Sequence, residues 1–245
     1  MPLVRESRTF TARFERWALP RIAGALPLWV TPDRLTLLAL AAALGGGLAY
    51  GIAGTRLAWL HVASLALVVH WFGDSLDGTL ARVRDIRRER YGFFVDHSAD
   101  AVAAWLLLGG IAASGLARPW LALLVLGGYL AHMLHAAQVG LARGRYVLAP
   151  IGRIGPTEVR LALITANTAI WASDNPEIAT GWTLFDALLA GATSLLLLGW
   201  LAVLAMETAR LSREDPTPEP RHPDAPSPRG EPERTSASHP ERDPA

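Results

Sequence analysis

The amino-acid sequence predicts an all-α integral membrane protein with six transmembrane helices and an N-terminal amphipathic helix lying at the interface. Three observations predict it: six mainly apolar stretches long enough to span, arginines that collect in alternate connections, and a strongly polar end to the chain. Crossing a bilayer as helix takes about 20 such residues. Open sheet is excluded, because its edge groups would go unpaired in lipid.

The first thirty residues interleave Arg5, Arg8, Arg13 and Arg16 with Phe10, Phe14 and Trp17. The aromatics recur at spacings of four and three, which places them on one helical face with arginines over much of the rest. This segment, 1–30, reads as a juxtamembrane amphipathic helix. It lacks an apolar core followed by a small-residue cleavage site, so a cleaved signal peptide is not expected.

The spans are expected at 35–53, 57–80, 93–115, 119–140, 157–174 and 182–208. The Gly45-Gly46-Gly47 run in the first suits close helix packing. Positive residues gather on the cytoplasmic side. The N-terminal segment, the loop with Arg84, Arg87, Arg88 and Arg90, and the loop with Arg143, Arg145 and Arg153 are basic. The alternate connections hold Arg56, Arg118 and no arginine. Six spans with both termini in the cytoplasm fit this pattern, and the cell membrane is the expected location. The membrane domain is placed at 31–210. Residues 211–245 turn to Pro, Glu, Arg, Asp and Ser and predict a disordered cytoplasmic tail.

Composition narrows the chemistry. Cysteine is absent, which excludes disulfides, thiolate metal ligands and a Cys nucleophile. All 23 basic residues are arginine, a bias that a GC-rich coding sequence would produce, so only their positions are informative. No nucleic-acid partner is expected; membrane lipids are.

The second span ends and the third begins within GDSLDGTLARVRDIRRERYGFFVDHSAD. A charged side chain costs about 2.5–3.5 kcal/mol at mid-membrane and less near the interface, so these carboxylates need compensation. Asp74 and Asp77 are three apart, Asp96 and Asp100 four apart, and each pair shares a helical face. The short connecting loop makes the two spans antiparallel neighbours, with all four acids near one membrane surface. Hard oxygen ligands point to Mg²⁺ or Mn²⁺, with Ca²⁺ possible. Two such ions would stabilise the attacking and leaving groups of an in-line phosphoryl displacement. Gly78 and Ala81 continue the aspartate face, Gly92 precedes Asp96 by one turn, and Arg82 is placed to meet a phosphate.

These residues form the pattern D-x2-D-G-x2-A-R-x9-G-x3-D-x3-D, through Asp74, Asp77, Gly78, Ala81, Arg82, Gly92, Asp96 and Asp100. It resembles the signature of the CDP-alcohol phosphotransferase family. The TPDRLT segment at Thr31 to Thr36 is similar to that family's TPNxLT-like start of the first span, with Asp33 where Asn is usual. The resemblance implies an enzyme of phospholipid synthesis in which an alcohol hydroxyl attacks the β-phosphorus of a CDP-linked donor and CMP leaves. It implies that Asp74, Asp77 and Asp96 bind two divalent ions, and that Asp100 is the general base and also touches the second ion. Asp74, Gly78, Ala81, Arg82 and Gly92 would line the CDP site. A CDP-linked lipid or CDP-alcohol donor, an acceptor alcohol and a homodimeric state are expected.

Polar residues beyond this signature are candidate acceptor or headgroup contacts. His132 and His135 form a stripe with Gln138 in the fourth span, where interhelical hydrogen bonding is the competing explanation. Arg153 and Glu158 lie near the start of the fifth, where the helix dipole alone would favour a carboxylate. His97, in DHSAD, looks more like the choline and ethanolamine phosphotransferase branch than the DPxADK form of phosphatidylglycerophosphate synthases. Both donor classes stay open at this point. A different class of function, a cation- or proton-coupled transporter built on the aspartates, would place carboxylates near mid-membrane and show inverted halves. Here the acids crowd one surface and no half-repeat is visible. A catalytically silent scaffold would not need the full set of four.

Overall fold

A computed structural model describes residues 9–142 and 155–215. Among these, seven helices follow in order: α1 (Ala12–Ala25), α2 (Pro32–Ile52), α3 (Trp59–Val83), α4 (Glu89–Ala113), α5 (Pro119–Ala142), α6 (Pro156–Ser173) and α7 (Leu184–Glu214). Four of them, α2, α4, α5 and α7, are long and apolar enough to cross a membrane. The other two expected spans are helices as well, but α3 carries His61, His70, Asp74, Asp77 and Arg82, and α6 has only 18 residues.

One departure from the all-helical expectation is a small antiparallel ribbon between α6 and α7, formed by β1 (Glu177–Ala179) and β2 (Trp182–Thr183). Gly181 turns it with φ of 72°, a value open to glycine at little steric cost. Arg118, at the start of α5, donates from Nη2 to the Gly181 carbonyl (2.7 Å) and from its backbone N–H to Asp186 Oδ1 (2.7 Å). The ribbon is thereby tied to the α4–α5 connection.

The chain divides after Glu207. The helical assignment nonetheless continues past residue 210, where the polar tail was expected to begin, and reaches Glu214. Within the second unit Arg210 Nε donates to Glu214 Oε1 at 2.7 Å, an i,i+4 pair on the final turns.

α1 covers the middle of the expected amphipathic segment; residues 1–8 lie outside the described residues. Its inward stripe is Ala12, Ala18, Leu19 and Ala23. Leu19 and Ala23 pack with Val30, Leu35 of α2, and Leu76 and Leu80 of α3. Phe10, Phe14 and Trp17, the aromatics expected to share a face, are exposed. Three carbonyls just past α1, those of Leu26, Pro27 and Val30, accept hydrogen bonds from the Arg84 guanidinium at 2.6–3.0 Å. One of the loop arginines counted above for topology therefore serves to hold α1 against the end of α3.

The start of α2 follows from its sequence. Thr31 is the N-cap, its hydroxyl accepting from the Arg34 N–H at 3.3 Å, and Pro32 fills the first turn, where no N–H is needed. From there α2 runs at close range past α3 and α4. A methyl at Gly47 would collide with the Leu106 carbonyl, and one at Gly110 with the Gly47 carbonyl. Gly46 sits against Leu107 and Ala66, and Gly73 of α3 against the Leu35 carbonyl, whereas Gly45 faces open space. Two of the three run glycines thus have a packing reason and the first has none. Further along, Tyr50 (α2) hydrogen-bonds the Asn167 amide (α6) at 2.9 Å, and that amide reaches Ser64 (α3) at 3.0 Å. Tyr50 and Asn167 are almost wholly buried, so this polar knot is satisfied internally, as membrane packing requires.

The α2–α4 crossing yields a test. Gly47→Val forces side-chain atoms into the α4 backbone, which cannot retreat as a flexible side chain would. A loss of about 1–3 kcal/mol or more is expected, read as a lowered unfolding midpoint in detergent. Gly51→Val, at a position with open space around it, is expected to leave the midpoint within about 0.5 kcal/mol of wild type.

Candidate active site

Asp74 and Asp77 lie in the last turns of α3, and Asp96 and Asp100 in the first half of α4. The loop 84–88 joins the two helices, with Asp85 in the left-handed region (φ 54°) and the Ile86 N–H bonded back to the Ala81 carbonyl at 3.0 Å. The reversal does not make α3 and α4 the packed neighbours expected from the short loop, because α2 lies against both of them, but it leaves the four acids within electrostatic range of shared neighbours. Asp74 and Asp96 both act electrostatically on Asp77. Asp74, Asp96 and Asp100 all act on Tyr129 of α5.

Each acid has a distinct environment. Asp77 is the most enclosed, 8% exposed, and its Oδ2 accepts from the Thr36 hydroxyl at 2.6 Å while Oδ1 accepts from the Gly78 N–H. Thr36 is also 3.2 Å from the Pro32 carbonyl, but its one proton goes to the nearer, charged oxygen. Asp74 is paired with Arg160 of α6, Nη2 to Oδ2, at 2.8 Å. Asp96 lies 3.4 Å from His97 Nδ1 and is more open, its side chain 40% exposed. Asp100 is half-buried.

The expected nucleotide-lining positions fall beside the acids. Gly78 and Gly92 are exposed, and neither is a packing glycine: a methyl at Gly92 meets nothing, and one at Gly78 meets only the Arg82 guanidinium at 3.6 Å. Arg82 folds back along α3, donating to Thr79 Oγ1 at 2.8 Å, and Ala81 is half-buried. This leaves an open strip of small residues on the surface flanking the carboxylates.

Among the acceptor candidates, Glu158 has other work. Its Oε1 accepts from the Thr11 N–H (2.8 Å) and hydroxyl (3.0 Å), and its Oε2 from the Gly155 N–H (2.9 Å). It caps α6 and fastens it to the start of α1, where Thr157 also bonds Glu15. These contacts give Glu158 a structural role, with one hydrogen bond on Oε2 and two on Oε1. His132 Nδ1 contacts the Gly128 carbonyl at 3.0 Å, and the buried Nε2 atoms of His132 and His135 have no hydrogen-bond partner among the described residues. Arg153 lies outside the described residues.

Three contributors lie outside the aspartate signature: Arg160 is two residues after Glu158, Tyr129 sits one turn before His132 on the same α5 face, and Thr36 closes the TPDRLT segment. A polar residue within an apolar helix was the available signal for Tyr129. No sequence signal says that α6 brings Arg160 against α3. Asp33, the departure within TPDRLT, pairs with Arg88 at 2.7 Å. Both are well exposed, so the pair is screened and adds little to stability.

As a metal site the donor set fits in kind: carboxylate oxygens, no sulfur, at one end of a bundle. Among the described residues no three His, Asp or Glu side chains are gathered tightly enough to enclose an ion, and one oxygen of Asp74 is held by Arg160.

A family model described as CDP-alcohol phosphatidyltransferase matches residues 29–206. Phosphatidylinositol phosphate synthase of Streptomyces avermitilis is 33% identical over 101 residues, 41% of this chain. That match spans 39% of the relative's length. The crystal structure of Mycobacterium tuberculosis phosphatidylinositol phosphate synthase with CDP-DAG bound is similar at a TM-score of 0.53 and 22% identity, covering 77% of this chain and 92% of that one. At that identity the likeness is one of fold. The family match takes in α2 to α6, the TPDRLT segment and every residue of the aspartate signature, and on it the chain belongs to the CDP-alcohol phosphatidyltransferase family.

Proposed function

We propose that the protein is a membrane transferase of phospholipid synthesis that takes CDP-diacylglycerol as donor, passes its phosphatidyl group to a soluble phosphate-bearing polyol, and releases CMP. The observation that carries this reading is that the ends of α3 and α4 hold four carboxylates within electrostatic range of shared neighbours, Asp77 and Tyr129, with the exposed Gly78 and Gly92 one turn or less from them in sequence. The donor is supported by the CDP-DAG in the similar solved structure, and the acceptor class by the name of the Streptomyces relative. His97 lends no weight to an aminoalcohol donor, because its ring stacks on Phe93 (4.1 Å) and its Nδ1 contacts the Phe93 carbonyl (3.0 Å). That is a packing role.

In this reading α3 and α6 complete six spans, and α1 lies at the cytoplasmic interface with Phe10, Phe14 and Trp17 toward lipid. Both termini are cytoplasmic, the membrane unit is 31–210, and the enzyme works as a homodimer in the cell membrane. Asp74, Asp77, Asp96 and Asp100 would hold Mg²⁺ or Mn²⁺. Divalent ions bound there would neutralise the phosphoryl oxygens and favour displacement at phosphorus.

The chain's own residues do the rest. Thr36 fixes Asp77 in one rotamer. Gly78, Ala81 and Gly92 let the nucleotide approach the backbone, and Arg82 turns from Thr79 to a phosphate oxygen. Asp100 accepts the acceptor hydroxyl's proton as that oxygen bonds to the β-phosphorus and the bond to CMP breaks. His132 and His135, whose buried Nε2 atoms have no hydrogen-bond partner among the described residues, are the candidates for acceptor contact once the site opens.

Purified enzyme given CDP-diacylglycerol and a phosphorylated cyclic polyol is expected to release CMP, to stop on chelation, and to recover with Mg²⁺ or Mn²⁺. Ion flux without CMP in reconstituted vesicles would favour a transporter instead. Asp100→Asn is expected to lower kcat by about 10²–10⁴-fold, the usual worth of a positioned base; full turnover in that variant would remove Asp100 from the mechanism. Thr36→Val keeps the shape and deletes a hydrogen bond to a buried carboxylate. It is expected to cost about 1.5–3 kcal/mol of stability in chelated protein, measured by thermal unfolding.

A further inference from the structure

We propose that Arg160 is a placeholder cation: it neutralises Asp74 while no divalent ion is bound, yields that carboxylate when one binds, and then takes a phosphate of the donor. The proposal rests on the reading of Asp74 as a metal ligand. It extends that reading to a residue outside the aspartate signature, delivered by a different helix.

The geometry sets the terms. Arg160 Nη2 stands 2.8 Å from Asp74 Oδ2, and the two side chains are only 12% and 21% exposed. A guanidinium stays charged at any working pH, and a charge in so enclosed a place needs a partner. Asp74 in turn sits among carboxylates that repel it, so without a metal the arginine supplies the missing positive charge. A divalent ion held by the other oxygen of Asp74 would set a like charge across the same carboxylate and weaken the Arg160 pairing at Oδ2.

Its surroundings limit where it goes. His70 and Asp74 on α3 and Tyr129 on α5 lie within electrostatic range of Arg160. His70 is 4% exposed, and its Nδ1 has no hydrogen-bond partner among the described residues. Neither His70 nor Tyr129 brings a negative charge at neutral pH. The anion that arrives with the proposed reaction is the donor's diphosphate, which a planar fork of N–H donors suits. Arg160 itself cannot drift far, since it lies in the second turn of α6, whose first turn is fastened to α1 through Glu158 and Thr157. The motion is therefore a change of side-chain rotamer, with α6 as a fixed base.

Two measurements on full-length protein in detergent test this. In the first, Mn²⁺ binding to chelated wild type, Arg160→Gln and Arg160→Lys is followed by the loss of free Mn²⁺ signal in electron paramagnetic resonance, with no substrate present. Arg160→Gln is expected to bind Mn²⁺ about fivefold or more tightly than wild type, and Arg160→Lys, which keeps the charge, to stay close to wild type. Unchanged or weaker binding by Arg160→Gln, with Mn²⁺ binding in wild type still abolished by Asp96→Asn, would overturn the placeholder and leave the metal site standing. No Mn²⁺ binding by wild type would overturn both. The second needs no variant: modification of Arg160 by phenylglyoxal, mapped by mass spectrometry, is expected to be slow in chelated enzyme, about fivefold faster with Mn²⁺, and slow again once CDP is added. A rate indifferent to Mn²⁺ means that Arg160 is a fixed structural ion pair, and a rate raised by Mn²⁺ but indifferent to CDP refutes the transfer to phosphate.

Discussion

Four carboxylates within electrostatic range of shared neighbours at one end of an apolar helical bundle carry an unfavourable concentration of negative charge, and the arrangement around them reads as a set of answers to it. Thr36 and the Gly78 N–H each give one oxygen of Asp77 a hydrogen bond. Arg160 cancels the charge of Asp74. Asp96 keeps part of its surface toward solvent, where hydration does the same work. Each solution comes from a different element: α2, α3, α6 and the open edge of α4. Removing any one element would leave an acid uncompensated, which links the fold to the site more tightly than the local motif suggests.

That dependence explains why the helices meet so closely elsewhere. Thr36 reaches Asp77 because α2 lies hard against α3, with Gly73 under the Leu35 carbonyl one turn away. α4 reaches the same depth because Gly47 and Gly110 let two backbones nearly touch. In lipid, small residues at crossings replace the hydrophobic drive that water would provide. Gly46, Gly47, Gly73 and Gly110 are filled by neighbours, while Gly78 and Gly92 border empty space beside the acids.

The second organising contact is the clasp between α1 and α6. Glu158 and Glu15 exchange hydrogen bonds with Thr11 and Thr157 across helices that are far apart in sequence. Arg84 holds the other end of α1. A helix with an outward aromatic face is thus mechanically joined to the helix that carries Arg160. In the proposed function this fixes the phosphate-facing side of the site relative to the membrane surface.

Much of this was legible in the residues. Apolar stretches located every helix from α2 to α7 to within a few residues, and the i,i+3 and i,i+4 spacing of the aspartates put each pair on one face, because both signals depend on local helix geometry alone. The helical boundary at Glu214 and the ribbon at 177–183 were not legible, since neither leaves a periodic trace and the ribbon's anchors, Arg118 and Asp186, lie 68 residues apart. The same limit governs the site. Sequence spacing identified the four acids, but their partners Thr36, Tyr129 and Arg160 come from helices up to 86 residues distant, and nothing local marks them. Glu158 shows the reverse case: its position at a helix start suggested either a cap or a substrate contact, and only the arrival of Thr11 from the far side of the chain shows that it also fastens α6 to α1. Local chemistry named the candidate groups; long-range packing decided what each of them touches.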